Sequence, residues 1–287
     1  MPGGRAHRTS KPDVAEVMAA GLSSARVRHQ SAHTCARPAQ GTMVNGVRID
    51  WVDRELFIET AESFLSCGLS HIVHFIPADP TVRAMDDRGY RIALNGGELN
   101  VPDGKSVVWA LRLKGTRSER LAGSDAMELL VQHGEQRGLR HYLFGGTPAV
   151  LTALRTTLER QHPRIQVVGA EAPPFRELDE AELGEAAGRI REAHTQLLWL
   201  GLGTPKQDLV AAQLRELGTA QIILCVGAAF DLLAGTKRRA PEWMQRAGLE
   251  WLYRLALEPR RLARRYLLGN PRFMWAVARE LLARRSS

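Results

Sequence analysis

A carboxylate set between an extended run and a helix start is well placed for acid–base chemistry. Leu99-Asn100-Val101-Pro102-Asp103-Gly104 has that form. Asp103 reads either as the capping residue of a Pro-Asp-Gly turn or as a general base at the mouth of a sheet. Thr204-Pro205-Lys206-Gln207 also has two readings. Thr204 could cap a helix with Gln207 reaching back to its N–H, as in a capping box, or the Gln207 amide could bind substrate. Asp231 stands in an otherwise apolar run, 222–235, where a lone buried carboxylate is costly without a partner. Arg120 suits either a phosphate or a nearby acid.

Several chemistries are excluded by spacing. Gly201-Leu202-Gly203-Thr204-Pro205-Lys206 puts lysine where a dinucleotide fingerprint needs its third glycine, and no phosphate-loop lysine motif occurs. There is no D-x-D triplet to hold a divalent ion on a diphosphate, and no His/Cys cluster at metal spacing. No metal and no cofactor is therefore expected. His74, inside a strand, reads as a satisfied core histidine. Three cysteines in 287 residues are too few for a disulfide framework and favour a reducing compartment.

The elements that must position these residues alternate regularly. Strands are expected over 71–76, 141–144, 165–168, 196–200 and 221–226. Helices are expected over 105–114, 124–137, 148–161, 180–194 and 205–217. That alternation defines an α/β fold, a Rossmann-like parallel sheet with helices on both faces. Ligands of such sheets sit beyond the carboxyl ends of the strands. Gly145, Gly146, Gly203 and Gly227 fall there, where glycine lets backbone N–H groups approach a phosphate or sugar.

Charge divides the chain into three. Residues 1–45 carry +4 and read as a basic, disordered extension; 46–236 carry −5 and form the α/β body; 237–287 hold 13 Lys/Arg against 4 acids, or +9. Two capped helices are expected in that last segment, one opening at Pro259 and the next at Asn270-Pro271. Arg260, Arg261, Arg264 and Arg265 share one face of the first, opposite Leu262, Ala263, Tyr266 and Leu267. Phe273, Met274, Val277, Ala278, Leu281 and Leu282 form an apolar face on the second. A basic amphipathic appendage of this kind suits an anionic membrane surface. No stretch reads as a signal peptide or a bilayer span. A nucleic-acid partner rests on the basic tail alone, without the interleaved aromatics of RNA-binding sheets, so none is expected.

The chain also resembles a known family. Val226-Gly227-Ala228-Ala229-Phe230-Asp231-Leu232-Leu233-Ala234-Gly235 is similar to its VGxxFDxxAG block. Arg238-Arg239-Ala240-Pro241, Gly248-Leu249-Glu250-Trp251-Leu252-Tyr253-Arg254-Leu255, Glu258-Pro259-Arg260-Arg261 and Arg264-Arg265-Tyr266 continue the likeness, together with Pro102-Asp103-Gly104, Gly123-Ser124-Asp125 and Gly203-Thr204-Pro205-Lys206-Gln207. These resemble the WecG/TagA/CpsF glycosyltransferases. The resemblance implies inverting, metal-free transfer of N-acetylmannosamine or a related sugar from a UDP-sugar to a polyprenyl-diphosphate-linked sugar. It implies Asp103 as general base, Arg120, Gln207 and Asp231 in substrate binding, and tail arginines near the lipid diphosphate. A cytoplasmic enzyme, peripheral on the inner membrane face, follows. Where many members carry Thr-x-Asn, this chain reads His74-Phe75-Ile76-Pro77-Ala78-Asp79-Pro80, which leaves the donor sugar open.

Overall fold

Six strands lie parallel in one sheet in the order β4-β3-β8-β7-β5-β6 in the structure, a computed structural model that describes residues 41–285. They are β3 (His71–Ile76), β4 (Leu99–Pro102), β5 (Arg140–Gly145), β6 (Gln166–Glu171), β7 (Leu197–Gly201) and β8 (Ile222–Cys225). A two-stranded antiparallel hairpin, β1 (Gly41–Val44) and β2 (Val47–Asp50), stands apart from them. It begins inside the stretch expected to be a disordered extension; residues 1–40 lie outside the described ones.

Consecutive residues of each central strand serve opposite faces, as a two-residue period requires. Val73, Leu143, Trp199 and Leu224 pack with α1 (Arg54–Ser66), α5 (Gly123–Arg137) and α6 (Pro148–Gln161) through Phe57, Phe64, Leu130 and Leu154. Their neighbours Ile72, Phe144, Leu198 and Ile223 pack with α7 (Glu180–Glu192) and α8 (Lys206–Glu216) through Leu183, Ile190, Val210 and Leu214. With α4 (Lys105–Leu113), the expected α/β architecture is present.

Between β3 and β4 the chain forms two helices that periodicity did not reveal, α2 (Ala78–Asp86) and α3 (Arg88–Asn95). The Asp86-Asp87 pair is split by the break between them. Asp87 accepts from Tyr90 N and caps α3, while Asp86 turns outward to Arg272. The hairpin docks beside β4 through Asn100, whose N–H donates to Asp50 Oδ2 at 2.8 Å and whose amide donates to the Arg48 carbonyl at 2.8 Å.

After β8 come α9 (Ala229–Leu233), α10 (Glu242–Ala247), α11 (Glu250–Leu257) and α12 (Pro259–Arg285). The helix break expected at Asn270-Pro271 is absent: α12 runs for 27 residues with Pro271 inside it. An internal proline costs about 3 kcal/mol. Burial of Phe273 and Val277 in one core cluster with the hairpin residues Val44, Val47 and Ile49 offsets that, at about 1.5–3 kcal/mol each. The expected apolar face is therefore divided, with Phe273 and Val277 buried against the body while Met274 and Leu282 stay exposed.

Candidate active site

Asp103 follows β4 at the carboxyl edge of the sheet, and its N–H donates to the Ile76 carbonyl at 3.1 Å. It does not cap α4, since that position belongs to Gly104. Its carboxylate is left for other work. Arg120 meets it from the loop before α5. Arg120 Nε donates to the Asp103 carbonyl oxygen at 2.6 Å, and a guanidinium nitrogen lies 3.5 Å from Asp103 Oδ1. The Asp103 side chain keeps 27% of its exposure, enough for a ligand to reach it. Burial holds its carboxyl above the usual aspartate range; Arg120 and Arg254 pull it down, while Glu250 and Asp125 push it up.

The residues around this pair come from the far end of the chain. Glu250, at the start of α11, accepts from Arg120 at 2.8 Å. Arg239 is joined to Asp125, in the first turn of α5, at 2.6 and 3.0 Å. Glu250, Arg254, Asp125 and Arg239 were not singled out individually in the sequence. They belong to short blocks separated by up to 130 residues, and nothing in their local spacing states that the blocks meet.

The glycines divide differently from the expectation. Gly145 pairs with Gly201 across β5 and β7, where the connections leaving the two strands run in opposite directions, the position at which such sheets open a crevice. Gly145 has φ +133°, and a Cβ there would lie 2.5 Å from the Gly201 carbonyl carbon, so glycine is required. The N–H groups of three of the expected glycines are committed to the fold. Gly146 N donates to the Gly201 carbonyl, Gly227 N to the Leu200 carbonyl and Gly203 N to Gln207 Oε1, each at 3.1 Å. Oriented donors at this edge must come from elsewhere. The first turn of α5 supplies some: no side chain caps it, and Gly123 packs closely on Val226, at the end of β8.

The capping box at Thr204 is not formed. Pro205 precedes α8 without a side-chain cap, and the buried Gln207 amide bridges Gly203 N and the Cys225 carbonyl, the latter at 3.0 Å. Asp231 is half-buried and partnered rather than alone. Lys237 lies 3.4 Å from its carboxylate and 3.3 Å from Glu258, at the end of α11. Asp103 with Arg120 forms one group, Gln207 with Gly203 and Gly227 a second, and Asp231 with Lys237 a third. Arg260 and Arg264 are exposed on α12; the side chains of Arg261 and Arg265 lie outside the described ones.

Beneath the edge, His74, Asp208 and Cys225 bring potential metal-ligand atoms within 4.8 Å of one another. The group is buried, and Asp208 already spends both oxygens inside the protein, on His74 Nδ1 at 2.9 Å and on Tyr90 OH at 2.7 Å. His74 is a core histidine, as its strand position suggested, but it is only half satisfied: Nδ1 meets Asp208, while Nε2 is buried without a hydrogen-bond partner.

A parallel sheet covered by helices on both faces, with a reachable acid and cations at its carboxyl edge, places the protein among the doubly wound α/β folds. Residues 42–287 match the model of the glycosyl transferase WecG/TagA/CpsF family, and the chain belongs to that family. Its members are glycosyltransferases of polysaccharide biosynthesis.

Proposed function

We propose that the protein moves a sugar, N-acetylmannosamine or a relative, from a UDP-sugar to a polyprenyl-diphosphate-linked sugar. The observation that carries this reading is the reachable Asp103 carboxylate with Arg120 against it at the carboxyl end of β4. Asp103 takes the proton of the acceptor hydroxyl as that oxygen attacks the anomeric carbon and UDP leaves with the bonding pair, inverting the centre. A positioned base of this kind contributes on the order of 10²–10⁴ in rate. The crevice at Gly201 and Gly145 lies three to four strands from β4, about 14–19 Å at the usual spacing. An elongated nucleotide-sugar laid along the edge reaches from one to the other. Charge developing on UDP is met by Arg120, Lys237 and the first turn of α5, since the glycine N–H groups at Gly146, Gly203 and Gly227 are already used.

In this reading the body over 46–236 holds the base, while 237–287 adds Lys237 to the site and brings it to an anionic membrane on the cytoplasmic side. Among the described residues no helix is long and apolar enough to cross a membrane. Support for surface attachment comes from the outward stripe of α12, where Arg264, Leu268, Trp275 and Leu282 are exposed at spacings of four, seven and seven. Arginines beside exposed leucine and tryptophan suit a headgroup layer. A screen of UDP-sugars for UDP release, with and without a polyprenyl-diphosphate-GlcNAc analogue, tests the whole reading. Acceptor-dependent release with one donor is expected; no release with any donor would overturn it.

A further inference from the structure

We propose that Glu250 is a positioning residue for the Asp103 base: by sharing the Arg120 guanidinium, it keeps that cation from closing fully on the Asp103 carboxylate. The inference rests on Asp103 acting as the base.

The geometry is a shared cation. Arg120 is anchored by its Nε to the Asp103 backbone carbonyl at 2.6 Å, so the guanidinium cannot move away from the site. Its outer nitrogen divides unequally, at 2.8 Å from Glu250 and 3.5 Å from the Asp103 carboxylate. A strong charge-assisted bond requires the shorter separation. The tight contact goes to the acid that does no chemistry, and the reacting acid gets the loose one. Without Glu250, the same guanidinium has one carboxylate left to neutralise.

Glu250 is held where it can do this. The turn before α11 passes through Gly248, whose φ of +75° favours glycine and whose Cα faces Lys105 and Trp109 of α4. At the other end of the helix, Glu258 is tied through Lys237 to Asp231. The charged groups that bear on Asp103 are Arg120, Asp125 of α5, and Glu250 and Arg254 of α11. Asp125 is occupied by Arg239. Glu250 is thus the acid that competes directly for the cation touching Asp103. Removing its charge favours the Asp103 carboxylate, moves its titration to lower pH and weakens it as a base.

The test is the pH profile of kcat/KM for sugar transfer in Glu250→Gln, which keeps the shape and an acceptor for Arg120 but not the charge. Wild type, Glu250→Asp and Asp103→Asn are run alongside, with UDP affinity and thermal melting measured for each. The acid limb is expected to fall by on the order of one pH unit and the plateau rate by severalfold, with UDP affinity unchanged. Glu250→Asp should return the limb toward wild type. A Gln variant that melts and binds UDP like wild type but leaves the limb in place would overturn the inference. So would an Asp variant displaced as far as the Gln one, since a lost shape rather than a lost charge would then be responsible. Wild-type turnover in Asp103→Asn would remove the base itself, a different failure that takes the parent reading with it.

Discussion

Asp103 illustrates what residue type and neighbours decide at a single position. A turn aspartate normally spends its carboxylate on a helix N–H, but here Gly104 takes the capping place and the carboxylate faces Arg120. Asp103→Asn is therefore expected to lower turnover by roughly 10²–10⁴ with UDP affinity nearly unchanged, as rate and binding measurements would read. His141 makes a separate point about stability. It is buried beside Trp199, whose indole N–H donates to its Nδ1 at 3.1 Å, and burial depresses its pKa to about 4. The unfolded chain takes up a proton near pH 6.5 that the folded chain refuses, so stability falls as pH drops below 6.5 and levels off near 4. The loss is roughly 3 kcal/mol at most. Urea unfolding at pH 7 and pH 5 should show it, and a His141→Gln variant should lose most of the difference. Tyr90→Phe leaves an Asp208 oxygen buried without its donor and should cost about 1–3 kcal/mol by the same assay. The strand–helix junctions that hold Asp103 and Gln207 were legible because glycine and proline punctuate them. The meeting of Glu250 with Arg120 was not, because no local pattern encodes a contact across 130 residues.

Elements were legible where one period governed them. Five of the six sheet strands and the five helices between them lie within a few residues of their expected bounds; β4 had been expected only as a short extended run before Asp103. The rule failed for α12, where Asn270-Pro271 carries a strong local start signal that packing overrides. Leu262, Phe273 and Val277 lie on one side of a single continuous helix and are all buried. Leu267 and Leu268, three and four residues beyond Arg264, are exposed on its side of the helix, so Leu267 does not stand on the face opposite the arginines. Phe273 should consequently matter to the body as much as to the tail. Phe273→Ala is expected to cost about 3–5 kcal/mol and to raise hydrogen exchange in β1 and β2, whose residues Val44, Val47 and Ile49 share its cluster. An unchanged hairpin in that variant would mean that the helix end folds independently.

At the scale of the molecule, charge separates what folding joins: the segment over 237–287 carries +9 against −5 for 46–236. Replacing Arg260, Arg261, Arg264 and Arg265 together with Glu should strip the protein from anionic liposomes. Each arginine near such a surface contributes about 1 kcal/mol, so the four together amount to roughly a thousandfold in partitioning at most. UDP binding should persist. Retained flotation in the quadruple variant would return the tail to a purely structural part. Sugar transfer is expected to survive EDTA, because no D-x-D stands at the strand ends; loss on chelation with recovery in Mg²⁺ or Mn²⁺ would contradict this.

The far end of α12 is seated in the body: Glu280 accepts from Asn45 N at 2.9 Å and pairs with Lys114, and Phe273 is fully enclosed. The outward stripe of that helix therefore cannot swivel independently of the sheet. A molecule adsorbed by the stripe keeps its spin about the membrane normal and gives up its freedom to tumble. Lipid headgroups drifting in the plane would meet the same rim of the molecule at every encounter. Much of the orientational search that slows ordinary association would then be completed at adsorption, before any acceptor arrives.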